Sequence, residues 1–163
     1  GVVRIPVEAL EPPVWVLLAV DCSASMSSSD PGDDRIRAVE ELLEDIAAAM
    51  TCPVIAKHAD RLIIHGGGVH FSKERLVGKD GTPAYGWVVE QQGDGWGAPI
   101  EGLKITSLSQ EHGIVTGPDE ALERFSVGDF VRVLPVHSCM TAAAMKRYRT
   151  LDGGVIPNIE AGV

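Results

Sequence analysis

His137 and Cys139 stand two residues apart in the run Pro135-Val136-His137-Ser138-Cys139-Met140-Thr141. They follow an alternating apolar stretch, Phe130-Val131-Arg132-Val133-Leu134, that reads as a strand. On extended backbone, residues i and i+2 point to the same side, so this spacing predicts an imidazole and a thiol facing one point. Those are the side chains best suited to a zinc-like ion. Two protein ligands would leave positions for water, substrate or a further side chain, which is the arrangement of a catalytic metal rather than a structural one. From spacing alone the alternative is a hydrogen-bonded histidine beside a buried cysteine.

Two further groups could do chemistry. Glu111 and His112 lie in Ser109-Gln110-Glu111-His112-Gly113, as an acid/base pair or as partners that orient a metal ligand. The competing reading is a strand-to-turn element in which Gly113 matters most. His65 and His70 flank Gly66-Gly67-Gly68, a segment able to turn sharply or to approach a ligand closely. For His70 a place on a surface loop is the simpler expectation.

The elements that must hold these residues are mainly β. Residues 54–56, 61–65, 87–91, 104–108 and 130–134 are short strand-like runs separated by Gly, Pro and Asp turns, the pattern of an antiparallel barrel or sandwich. Ahead of them, residues 14–20 form a continuously apolar run that reads as a strand buried on both faces. A serine-rich loop follows, and then a predicted helix over residues 35–50. Ile36, Val39, Leu42, Leu43, Ile46 and Ala47 make its apolar stripe, with Asp33 or Asp34 as N-cap.

A chain of 163 residues is one domain or a little more, long enough to bury a core. A formal net charge of −9, with no basic run, argues against nucleic acid or an anionic membrane as partner. Cys22, Cys52 and Cys139 are widely spaced and odd in number, which points away from a disulfide framework and toward a reducing compartment. The apolar run at 14–20 is too short to span a bilayer and lacks the flanks of a signal peptide. The expected compartment is the cytoplasm.

Several blocks in order carry a resemblance. They are Cys52-Pro53-Val54-Ile55-Ala56-Lys57-His58; Ile64-His65-Gly66-Gly67-Gly68-Val69-His70-Phe71-Ser72-Lys73; Ser107-Leu108-Ser109-Gln110-Glu111-His112-Gly113-Ile114-Val115; Val127-Gly128-Asp129; and the Pro-x-His-x-Cys-x-Thr run. Over residues 44–154 the chain resembles the C-terminal domain of the D-threonine aldolase and D-serine dehydratase family, the fold-type III enzymes that use pyridoxal phosphate. The resemblance implies that His137 and Cys139 hold a divalent metal, zinc rather than manganese. The metal would polarise the β-hydroxyl of a small D-amino acid, with Glu111 and His112 as supporting catalytic groups. Some relatives have Asp in place of Cys139, and the thiol leans the expectation toward zinc and toward dehydration. The family's lysine and pyridoxal phosphate belong to an N-terminal α/β barrel of roughly two hundred residues, ahead of every block matched here. Lys57 and Lys73 are therefore not expected to be the Schiff-base lysine, and this stretch is not expected to catalyse unaided. A homodimer is implied as well.

Residues 1–43 do not share that resemblance and are read as a strand-loop-helix segment whose origin the sequence leaves open, with residues 44–163 as the β domain. Asp21-Cys22-Ser23-Ala24-Ser25, after the apolar strand, resembles the metal-ion-dependent adhesion site of von Willebrand factor A domains, whose hard oxygen ligands suit magnesium. Two alternative functions follow: a magnesium-dependent binding module using Asp21, Ser23 and Ser25, or a β domain that does no chemistry.

Overall fold

Alternation of apolar and polar residues closes six strands into a barrel. The computed structural model describes residues 15–17, 48–78, 80–93, 95–145, 147–150 and 153–157. Among them the barrel strands are β2 (Ala48–Lys57), β3 (Leu62–His65), β6 (Gly86–Gln92), β7 (Gly95–Leu108), β8 (His112–Thr116) and β9 (Phe130–Pro135). Their order is β2-β3-β8-β7-β6-β9, every pair antiparallel, and β9 returns to β2 through Met50↔Val133 and Cys52↔Val131. Full closure leaves these six strands no open edge. A short hairpin, β4 (Leu76–Val77) with β5 (Pro83–Ala84), lies between β3 and β6 in the chain. Outside the barrel, β1 (Trp15–Leu17) pairs antiparallel with β2 and parallel with β10 (Arg147–Arg149), which in turn pairs with β11 (Val155–Pro157). Two short helices complete the described chain, α1 (Asp119–Glu123) and α2 (Ser138–Ala144).

The inward residues are the ones that period two selects. Leu62 and Ile64 on β3, Leu103 and Ile105 on β7, Val115 on β8, and Val131 and Val133 on β9 are all buried. They share one core with Met50, Cys52 and Val54 of β2. Burying each large aliphatic side chain contributes about 1.5–3 kcal/mol, and this repeated burial fixes the register, because a one-residue slip would turn each set outward. The mainly-β, barrel-like expectation holds, and the five predicted strand-like runs lie in strands apart from Arg61, which precedes β3.

One boundary differs from the sequence expectation. The helix predicted over 35–50 does not reach its end, because Ala48, Ala49 and Met50 already belong to β2. All three are at most 2 % exposed and pair with β1, and Met50 pairs with β9 on the other edge as well. A short apolar run buried on both faces has no period that separates strand from helix. Residues 35–47 lie outside the described residues. So do Asp21, Ser23 and Ser25, and most of the 14–20 run, of which Trp15–Leu17 is strand. No described helix is long and apolar enough to cross a membrane.

Because neighbouring barrel strands alternate in direction, the ends of β3, β7 and β9 meet the starts of β2, β6 and β8 at one end of the barrel. His65 ends β3, His112 starts β8, and His137 follows β9 by two residues. Three side chains far apart in the sequence thus reach the same end.

Candidate functional site at one end of the barrel

The loop that leaves β3 is shaped by its glycines. A Cβ on Gly67 would lie 2.4 Å from the Glu111 carbonyl carbon and 2.4 Å from the His112 nitrogen, both backbone atoms. Only glycine permits that approach. The loop is then laced to the 109–111 turn: Gly66 N–H donates to Glu111 O (2.9 Å), Gly68 N–H to Ser109 O (2.7 Å) and Val69 N–H to Gln110 O (3.0 Å).

This packing gathers three imidazoles. His65 and His112 are register partners across β3 and β8. Their ring centroids are 6.2 Å apart, and the His70 ring lies 5.0 Å from that of His65, both pairs edge-to-face. His70 stands on the loop expected for it, at intermediate exposure. Its Nδ1 accepts the Gly67 N–H at 3.2 Å, so the neutral ring carries its proton on Nε2. Burial, and then the neighbouring His65, hold the His70 pKa below its ordinary value; Glu111 opposes this and His112 adds to it. Glu111 and His112 therefore belong to this histidine group, at an exposed rim.

The second group forms where β9 ends. Val136 N–H donates to Tyr85 O (3.1 Å), and His137 is extended, with φ −129° and ψ 90°, before the chain turns into α2. Cys139 lies in the first turn of that helix and is exposed. This corrects the expectation that His137 and Cys139 share an extended backbone. Pro135 stops the ladder, and Thr141-Ala142-Ala143-Ala144 supplies good helix formers. Both ligand candidates are still offered by one turn of chain.

That turn is held by a buried threonine. Thr141 N–H (3.2 Å) and its hydroxyl (2.8 Å) both donate to His137 O, and Ser72 N–H donates to Thr141 Oγ1 (3.4 Å). Glu74 N–H in turn donates to Ser72 Oγ (3.3 Å), and the Glu74 carboxylate Oε2 is 2.8 Å from His137 Nδ1. The loop carrying His70 thus also carries Ser72 and Glu74 to the His137 turn. Neither Ser72, Glu74 nor Thr141 was singled out by the sequence. The signal for Glu74 is a contact spanning 63 residues of chain, which no local pattern in Lys73-Glu74-Arg75 encodes.

Other chemical candidates are accounted for structurally. The Lys57 ammonium donates to Phe125 O (2.8 Å) and Glu123 O (3.5 Å) at the opposite end of the barrel, closing the C-terminus of α1. Burial pushes the Cys52 thiol up, so it stays protonated in the core. Among the described residues no three His, Cys, Asp or Glu side chains converge closely enough to hold a metal by themselves. The His137–Cys139 pair nonetheless fits a zinc-type ion in donor chemistry: a nitrogen whose ring partner is already engaged, and an exposed sulfur.

Residues 47–151 match the family described as "Putative serine dehydratase domain". The chain belongs to that family. D-threo-3-hydroxyaspartate dehydratase of Delftia sp. (strain HT23) is 34% identical over 122 residues, covering 69% of this chain and 31% of the relative. The solved structure of that dehydratase superposes with a TM-score of 0.57 at 30% identity, over 70% of this chain and 32% of the other. An alanine racemase-like protein from Idiomarina loihiensis gives a TM-score of 0.57 at 31% identity, over 69% and 31%. The chain therefore spans about a third of the length of these relatives. The Delftia dehydratase has also been solved as a histidine-to-alanine variant, and as a cysteine-to-alanine variant in a metal-free form. The substituted cysteine of that enzyme lies two positions after the substituted histidine, the spacing of His137 and Cys139.

Proposed function

We propose that residues 44–163 are the metal-binding β domain of a pyridoxal-phosphate-dependent D-amino-acid lyase of the dehydratase type, with His137 and Cys139 as the metal ligands. The observation that carries this reading is the His-x-Cys pair at one end of a barrel shared with the Delftia dehydratase, whose cysteine-to-alanine variant has been solved in a metal-free form. When bound, the metal supplies a Lewis acid to the substrate's β-hydroxyl, and pyridoxal phosphate, held on a separate barrel domain, supplies an electron sink. An imidazole and a thiolate favour zinc over manganese.

The chain's own residues have separable tasks. His137 Nδ1 is turned to Glu74, which leaves Nε2 for the ion. Cys139, two residues on in the first turn of α2, offers its sulfur from an exposed position where a thiolate can remain solvated. Glu111 and His112, at the rim of the same barrel end, orient substrate groups or pass a proton, and His70 presents a neutral Nε2–H beside them. The substrate is a small D-amino acid with a β-hydroxyl, the working form a cytoplasmic homodimer, and residues 1–43 an added segment whose strand β1 pairs with β2 of the β domain.

Elemental mass spectrometry of the purified chain tests the reading. About one zinc per chain is expected, with its loss in the His137→Ala/Cys139→Ala variant. Metal content unchanged by the double substitution would overturn it.

A further inference from the structure

We infer that Glu74 is a positioning residue: it fixes His137 in the tautomer that carries its proton on Nδ1 and presents Nε2 to the metal. The inference rests on the metal reading above and concerns how this chain prepares its nitrogen ligand. Three observations carry it. The Glu74 carboxylate oxygen lies 2.8 Å from His137 Nδ1, the distance of a charge-assisted hydrogen bond. A carboxylate only accepts, so the proton between them belongs to the imidazole, and in the neutral ring the lone pair then falls on Nε2. No other described residue is hydrogen-bonded to the ring.

The pair is also held from behind. Glu74 N–H rests on Ser72 Oγ, Ser72 N–H on Thr141 Oγ1, and Thr141 Oγ1–H on the carbonyl of His137 itself. The backbones of Glu74 and His137 are thus the two ends of one hydrogen-bonded chain whose middle, Thr141, is fully buried, and the carboxylate–imidazole bond joins those ends. The side chains of His137 and Glu74 are 24% and 52% exposed. A hydrogen bond to so exposed a carboxylate contributes little to folding, so its arrangement is not explained by stability. A carboxylate behind a ligating imidazole raises the basicity of the ring and fixes its orientation, and removing such a partner typically lowers metal affinity about 10–100-fold.

The test pairs zinc affinity, measured by chelator competition on the full chain, with the ¹⁵N shifts of the His137 ring in the metal-free chain at a pH where the ring is neutral. Wild type is expected to show the Nδ1–H form. Glu74→Ala is expected to move the ring toward the Nε2–H form and to weaken zinc about 10–100-fold without lowering the melting temperature. Glu74→Gln, whose amide oxygen can still accept the Nδ1 proton, is expected to keep the tautomer and recover part of the affinity. Unchanged ring shifts in Glu74→Ala would overturn the inference, whatever happened to the affinity. A ring that switches in a chain whose wild type takes up no zinc would support the tautomer assignment while sinking the metal reading, so the two failures are distinguishable.

Discussion

The two ends of the barrel treat their polar groups differently. At the end where β6 and β7 turn and α1 sits, charges are tied to partners. Arg124 grips Glu90 with two bonds of 2.8 and 2.5 Å, Lys57 closes the last carbonyls of α1, and Asp129 Oδ2 accepts the Ser126 N–H. The Glu90 carboxyl is held below the usual range by that hydrogen bond to Arg124. At the other end, three imidazoles stack edge-to-face, an exposed thiol opens a helix, and the one ion pair involving a candidate ligand uses a single ring nitrogen. A groove at the first end, lined by Val89, Ile100, Phe125 and Phe130 with the Arg124–Glu90 pair across it, has no nucleophile or metal-binding side chain beyond that carboxylate. That groove lies at the end opposite His137 and Cys139.

The largest expected effect comes from placing a side chain where the reactive end leaves no room. Gly67→Val would drive Cβ into the Glu111 and His112 backbone and is predicted to cost about 1–3 kcal/mol or more, with loss of the His65–His70 contact. The counterpart at the tied end, Gly128→Ala, meets open space and only the strain of φ +99°, about 1–2 kcal/mol. Urea midpoints of the two variants check the ordering, and equal losses would break the comparison.

Thr141→Val comes next. It keeps the shape but leaves the Ser72 N–H without its acceptor and the His137 carbonyl without its hydroxyl donor, for about 1–3 kcal/mol. Zinc uptake is expected to fall with it, which separates this variant from an ordinary core defect. Arg124→Ala should do less. Its pair with Glu90 is exposed to solvent, so the loss should be small and shrink as salt is raised, and zinc uptake should be untouched.

The shallowest effect is one of pH. His70 titrates below its ordinary value of about 6.5 in the folded chain, so the unfolded chain takes up its proton first as the pH falls. The stability that His70 lends is complete above about 6.5 and drains as the pH drops from there through the folded value. His65, His112 and Glu111 face the same ring and shape the slope. Denaturation midpoints between pH 5 and 8 should slope less in His70→Gln than in wild type.

Much of the barrel was legible in the sequence because its strands alternate cleanly: Leu62 and Ile64, or Val131 and Val133, can only point inward together. His137, Cys139, Glu111 and His112 were legible as residue types at suggestive spacings. Their partnerships were not. His112 meets His65 only through the β3–β8 register, and Glu74 meets His137 only through a loop that glycines fold back on the 109–111 turn. The strand ending at Pro135 suggested extended backbone through Cys139, whereas the alanines that follow make a helix of it. Residues 48–50 show the same ambiguity in reverse, since small apolar residues buried on all sides carry no period to read.

Zinc K-edge absorption on the zinc-loaded chain tests the central claim most directly. The account predicts one sulfur at about 2.3 Å beside nitrogen and oxygen ligands at about 2.0–2.1 Å, with the sulfur shell lost in Cys139→Ala. A shell of nitrogen and oxygen alone, unaltered in Cys139→Ala and in His137→Ala, would contradict it and take the metal away from the His137–Cys139 turn.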